Sequence, residues 1–131
     1  MEALSVNEDG PRGCSVVIND LPYPPTVNTY WRRVGDRTIV SRAGRRYRDR
    51  VASIVSLYNI TEFGGPIEVS IEVHPPDRRR RDLDNLLKAL LDALERGGAY
   101  RDDSQIEQLM VLRGDIEPGG GGVTVHISGD L

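Results

Sequence analysis

IEVSIEVHPPDRRRRDLDNLLKALLDALERGG, residues 67–98, decides how this chain folds. Its opening alternates: Ile67, Val69, Ile71 and Val73 take one face, and Glu68, Ser70, Glu72 and His74 the other. A period of two is that of a half-buried strand. Pro75-Pro76 ends it, because proline has no N–H for the ladder. After the arginine run the period changes. Leu83, Leu86, Leu87, Leu90, Leu91 and Leu94 form one stripe of a helix, with Asp84, Lys88, Asp92 and Glu95 on the opposite side. Asp82 or Asp84 is placed to cap this helix and Gly97 to stop it. A strand and a helix that each carry one apolar face call for helices packed on a sheet.

The flanks agree. Ile106–Arg113 reads as a strand and Val123–Ile127 alternates as another, with Glu117-Pro118 and Gly119–Gly122 as a loose hairpin loop between them. Upstream, SVVIND (15–20) is a short strand, and LPYPP (21–25) is a rigid loop leading to Asn28, Tyr30 and Trp31. Arg37–Val40 pairs back on Tyr30–Arg33 around Gly35-Asp36. Ser41 is an N-cap, followed by a helical stripe of Tyr47, Val51, Ile54, Val55 and Tyr58. Residues 1–13 read as a loose N-terminal tail and 14–131 as one domain. The expected class is α+β: a single domain with two main helices packed on a mixed, mainly antiparallel sheet of about four strands.

Composition narrows the function. A chain of 131 residues, 38% hydrophobic and poor in aromatics, builds one core from Leu, Val and Ile. No apolar run is long enough to span a membrane, and the polar start is unlike a signal peptide. The single cysteine, Cys14, excludes an internal disulfide and suits a reducing cytoplasm, where the protein is expected to be soluble. Net charge is −3, but the charges are segregated. Eight arginines lie between Asn28 and Arg50 against Asp36 and Asp49, and Arg78, Arg79, Arg80 and Arg81 form a second block. A basic face on an acidic protein suits a polyanion.

The chemistry concentrates between Asp77 and Asp103. Clustered carboxylates hold hard divalent ions such as Mg²⁺ through oxygen, and adjacent arginines bind phosphate. At a strand-to-helix junction, non-helical backbone can aim both Asp82 and Asp84 at one ion. One aspartate suffices as a cap, so the second needs another reason. Lys88 shares a face with Asp84. An exposed Asp84–Lys88–Asp92 ladder is the bland alternative, whereas contact with a scissile phosphate is the functional one. Lys+Arg total 17 and Lys88 is the only lysine, which marks it in a chain so biased to arginine. Asp102 and Asp103 follow the helix. The span from Asp84 to Arg96 is ~18 Å at helical rise, and 97–103 covers at most ~20 Å extended. Asp103 therefore returns to Asp82 and Asp84 within one chain only if that segment is nearly taut; otherwise it serves a partner subunit. His74 and His126 read as ordinary sheet residues. Trp31, Tyr23 and Tyr30 could stack on bases or pack on the proline loop.

LPYPPTVNTYWRR, VSRAGRRYRDRV and DRRRRDLDNLLKALLDAL…RDD occur in this order with this spacing. Together, over Leu21 to Arg113, they closely resemble RusA-type Holliday junction resolvases of bacteria and their phages. The resemblance implies a homodimeric, Mg²⁺-dependent endonuclease that cuts four-way DNA junctions by paired symmetric nicks in recombination and repair. It carries the metal-holding acids onto Asp82, Asp84 and Asp103 and the essential lysine onto Lys88, with Asp102 a less critical acid. Arg78 to Arg81, with Arg45 and Arg48 of the first helix, are the expected DNA contacts. Tyr23 stands where the family often has an indole, and the N-terminal tail is extra. A nuclease for flaps or forks, or a DNA-binding module whose acids are structural, are the alternatives.

Overall fold

The computed structural model describes residues 5–6 and 13–130. In chain order the elements are β1 (Ser5–Val6), β2 (Cys14–Leu21), a single turn α1 (Val27–Tyr30), β3 (Trp31–Val34), β4 (Arg37–Val40), α2 (Arg42–Ser56) and β5 (Ile67–His74). A 3₁₀ turn (Leu83–Leu86) then leads into α3 (Leu87–Arg96), and a second (Asp103–Gln105) into β6 (Ile106–Arg113) and β7 (Gly122–Gly129). The class is α+β as expected. The expected tail falls largely on residues outside those described; Ser5–Val6, which are described, pair with Ser15 and Cys14.

The main sheet has the order β1-β2-β7-β5-β6, and β3-β4 is a separate ribbon. β7 is central, and β5 lies between it and the edge strand β6, antiparallel to β7 and parallel to β6. β6 and β7 are therefore not a hairpin, contrary to the reading of the glycine-rich link. Parallel partners need a crossover connection, and α3 supplies it between β5 and β6. The chain then passes over the end of β5 to place β7 between β2 and β5. A close approach makes that passage possible: a Cβ on Gly121 would come within 2.6 Å of the His74 carbonyl oxygen, and φ there is +75°.

The inward faces are those the alternation set. Ile67, Val69, Ile71 and Val73 are at most 2% exposed, and Val16, Ile18, Val123, Val125 and Ile127 join them. Each such side chain contributes ~1.5–3 kcal/mol of burial. Leu86 of the 3₁₀ turn and Leu90, Ala93 and Leu94 of α3 close the layer, with Tyr47, Val51 and Val55 from α2. Ser41 caps α2, its Oγ accepting from Gly44 N–H at 3.0 Å. The helix stops at Ser56, so Tyr58 lies beyond it, with its hydroxyl accepting from Asn19 N–H at 2.9 Å. Within the proline loop, Tyr47 donates to the Pro22 carbonyl at 2.8 Å, which fixes where α1 begins.

Candidate active site

Asp82 has extended backbone (φ −91°, ψ 129°) and precedes the 3₁₀ turn, but its side chain makes no capping bond. Among the described residues neither the Asp82 nor the Asp84 side chain has a hydrogen-bond or ion-pair partner, and both residues are exposed. The capping alternative is thus unrealised, and two carboxylates stand open at the leading end of α3. A hollow of about 410 Å³ opens beside them, lined by Thr26, Arg79, Arg80, Arg81, Asp82 and Asn85. Basic groups and a candidate metal ligand share one groove.

The arginine block divides in two. Arg81 is tied down: Nη1 contacts Asp77 Oδ1 at 2.7 Å and donates to the Arg79 carbonyl at 3.1 Å. Its guanidinium lies 5.7 Å from the Tyr23 ring centroid. Asp77 also accepts from Arg79 N–H, and the Arg81 bond, followed by that one, pulls its carboxyl down to about 2. Arg78, Arg79 and Arg80 are exposed. Arg81 is the fastener that presents the other three. Arg113 donates to the Arg81 carbonyl at 2.6 Å and joins this turn to the end of β6.

Lys88 is not paired with Asp84. Its Nζ lies 3.3 Å from Asp92 Oδ1 and 5.8 Å from the Trp31 ring centroid, with the side chain 46% exposed. Asp92 is itself held, since Tyr30 donates to its Oδ2 at 2.8 Å. Burial first, then this bond, pushes the Tyr30 hydroxyl up to about 12, against a lowering by Arg48. Tyr30 and Trp31 meet edge to face at 5.2 Å. The aromatics expected to stack on bases or buttress the loop thus include a buried Tyr30 and a Trp31 that hold Asp92 and Lys88. That role was missed in the sequence. Its only signal there is Asp92 one turn beyond Lys88.

Asp103 sits at the other end of α3. The chain turns at once after Arg96, with Ala99 N–H bonded to the Leu94 carbonyl at 2.9 Å and Gly98 at φ +87°. Buried Tyr100 anchors the return, donating to the Leu91 carbonyl at 2.7 Å. The segment is not taut, so Asp103 stays beside Glu95, whose Oε1 accepts its N–H at 2.8 Å. Asp102 accepts from Ser104 N–H at 2.9 Å in a capping box with Gln105, which holds its carboxyl below the usual range. Gln105 Nε2 donates to the Phe63 and Gly65 carbonyls.

Carboxylate oxygens of Glu95, Asp102 and Asp103 lie within 4.8 Å of one another, a hard-oxygen set of the kind divalent ions take. Glu95 is a member that sequence reasoning assigned only to the polar face. Nearby, Arg48 lines a hollow of about 310 Å³ with Asp92, Glu95, Arg96 and Arg101. Its buried Nε has no hydrogen-bond partner among the described residues. Arg45 is exposed on α2 and donates to the Val40 carbonyl at 2.8 Å. Within one chain the structure brings Asp103 to Glu95, and leaves Asp82 and Asp84 ~18 Å away along the helix.

The family described as Endodeoxyribonuclease RusA matches residues 22–128. A crossover junction endodeoxyribonuclease of Enterobacteria phage HK97 is 44% identical over 101 residues, covering 76% of this chain and 84% of the relative. Those of Enterobacteria phage 82 and Escherichia coli strain K12 are each 45% identical over 102 residues, with the same coverage.

Proposed function

The chain belongs to the RusA family of endodeoxyribonucleases, and from that membership we propose that it cuts four-way (Holliday) DNA junctions, in DNA recombination and repair, by paired symmetric nicks. The observation that carries this reading is the pair of carboxylates whose side chains have no partner among the described residues, Asp82 and Asp84, the first of them lining a groove with Arg79 and Arg80. Exposed carboxylates without structural work beside phosphate-binding groups suit hydrolysis of a phosphodiester better than binding alone.

Asp82 and Asp84, completed by Asp103, would hold Mg²⁺, which when bound lowers the pKa of a water and stabilises the leaving oxygen of an in-line displacement. Arg78, Arg79 and Arg80 bind the backbone on either side of the cut, and Arg45 and Arg48 are the proposed contacts to a flanking arm. Lys88 neutralises charge that grows on the phosphate. Its ammonium is oriented by Asp92 and the Trp31 face, so little reorganisation is needed when DNA arrives. The separation of Asp103 from Asp82 and Asp84 in one chain supports a homodimer in which Asp103 of the partner subunit completes each site. Two such sites related by a twofold axis suit paired nicks on opposed strands.

The test is a labelled four-way junction incubated with the protein, with Mg²⁺ and with EDTA. Symmetric nicks that need Mg²⁺, and that disappear in Asp82→Asn while junction binding persists, are expected. Metal-independent cutting, or normal turnover by Asp82→Asn, would exclude this assignment of ligands. Preferential cutting of a flap or fork would move the substrate class.

A further inference from the structure

β3 and β4 form a ribbon that pairs with no other strand among the described residues. Its base is fastened. Ser41 N–H donates to the Tyr30 carbonyl at 2.8 Å and Ser41 Oγ to the Thr29 carbonyl at 2.6 Å, which ties the end of β4 to α1. Arg45 straps the same end to α2 through the Val40 carbonyl. The tip stands clear: residues 32–38 are all exposed, with Val34 at 41%. Gly35 turns the chain at φ +59°, a positive value of the kind that a two-residue hairpin loop takes at its first position. A fixed base and a bare tip make a finger that reaches away from the domain.

Cations crowd this finger. Arg32, Arg33 and Arg37 meet no carboxylate among the described residues, and Asp36 is the only acid between Trp31 and Val40. Arg33 Nε donates to the Gly35 carbonyl at 3.3 Å, which holds that side chain along the ribbon. Residues opposite each other in an antiparallel pair share a face. The register therefore places Arg33 with Trp31 and Thr38 on one face, and Arg32 with Val34 and Arg37 on the other. A ribbon laid flat on one phosphate row would use a single face. Cations on both faces fit a cleft with a phosphate row on each wall.

We propose that the β3–β4 ribbon enters the major groove of the DNA arm next to the cut, with Arg33 on one phosphate wall and Arg32 and Arg37 on the other. The proposal rests on the nuclease reading above and names the part of the substrate that this ribbon holds. A major groove is about 12 Å wide and about 8.5 Å deep and admits a two-stranded ribbon. Each strand of the ribbon is ~13 Å long at about 3.3 Å per residue, enough to fill that depth. The ribbon also starts in the right place, since the ring of Trp31, its first residue, lies 5.8 Å from Lys88 Nζ. Val34 is ~10 Å farther along the strand, which at about 3.4 Å per nucleotide puts the tip within about six nucleotides of the phosphate that Lys88 meets. An acidic protein would also be drawn to these arginines, but neither the two-faced placement nor the nearness to Lys88 serves it.

Photo-cross-linking tests this placement without reading cleavage. In a Cys14→Ser background, Val34→Cys is alkylated with an azidophenacyl group, bound to a labelled four-way junction in EDTA and irradiated. Its DNA adduct should form at least about tenfold more than that of Leu57→Cys, which is 83% exposed beyond α2. The adducts should map to duplex positions within about six nucleotides of the bonds that the wild type cuts in Mg²⁺. An adduct no more frequent than the Leu57 control, or one spread evenly over the arms, overturns the proposal. Should Val34→Cys fail to fold, salt dependence decides. The double variant Arg32→Gln, Arg37→Gln should flatten the slope of log affinity against log salt by about 1.8, at about 0.9 per phosphate, and an unchanged slope overturns the contacts. Tip adducts on a junction that is never cut would sink the nuclease reading alone. Normal cutting without tip adducts would leave that reading standing and remove the ribbon from the groove. A wild type that binds no junction overturns both.

Discussion

Lys88 is held rather than merely present. A lysine whose only partner is an exposed carboxylate is worth ~0.2–1 kcal/mol. Here the partner, Asp92, is itself fixed by a buried tyrosine, and an indole flanks the ammonium. Lys88→Ala should lower turnover on a four-way junction by roughly 10²-fold or more while leaving the melting temperature nearly unchanged. Lys88→Arg should not restore the rate, because a planar fork does not occupy the place of a compact ammonium. A variant that melts early but keeps its specific activity would return Lys88 to the surface ladder. His74 has a different role. Nδ1 meets the Asp115 carbonyl at 2.8 Å and Nε2 meets Glu72 at 2.7 Å, clamping the link to β7 on the end of β5. Burial lowers the imidazole pKa, but the Asp115 carbonyl, Glu117 and Glu72 outweigh it, so the net shift is upward from 6.5. A raised folded value means that the stabilisation is full below about 6.5 and is lost as pH rises through the folded pKa. The melting-temperature gap between the wild type and His74→Gln should therefore be wider at pH 6 than at pH 8.5. A gap independent of pH would contradict the clamp.

At the scale of elements, α2 sets the site through one glycine. A Cβ on Gly44 would lie 2.8 Å from both Tyr30 Cδ1 and Val40 Cγ1 and 2.9 Å from the Tyr30 carbonyl oxygen. Gly44→Ala should cost about 1–3 kcal/mol by overpacking, read by urea denaturation. It should also lower turnover by displacing Tyr30 from Asp92; unaltered stability would show that α1 yields freely. Elements with a single buried face were legible in the sequence. Alternation in β5 and the leucine stripe of α3 each name their inward residues, because burial on one side imposes the period. The two-residue turn at Gly35-Asp36 was legible too, although the partner strand is Trp31–Val34. The place of β6 was not. IEQLMVLR does not alternate cleanly, because an open edge exposes both faces. Its parallel partner lies across α3, so no local signal distinguishes that pairing from a hairpin with β7. Asp82, Asp84 and Lys88 were singled out from their spacing. Glu95 was not, since its nearness to Asp103 follows from the turn at Gly98 and the Tyr100 anchor, which no spacing reveals.

At the scale of the molecule, the proposed metal ligands of one chain stand at opposite ends of α3. Asp82 and Asp84 stand at the leading end beside the arginine groove, and Asp103 at the trailing end against Glu95. No described helix is long and apolar enough to cross a membrane. The central claim is that junction cutting comes from a site completed by Asp103 of the partner subunit. The direct measurement mixes two inactive proteins, Asp82→Asn and Asp103→Asn, after subunit exchange has been shown by mass spectrometry, and follows nicking of a labelled four-way junction in Mg²⁺. In the mixed dimer one site carries both lesions and the other carries none. That single intact site should nick one strand without paired resolution. If nicking does not return although exchange is complete, Asp103 serves its own chain and the two-chain site is wrong.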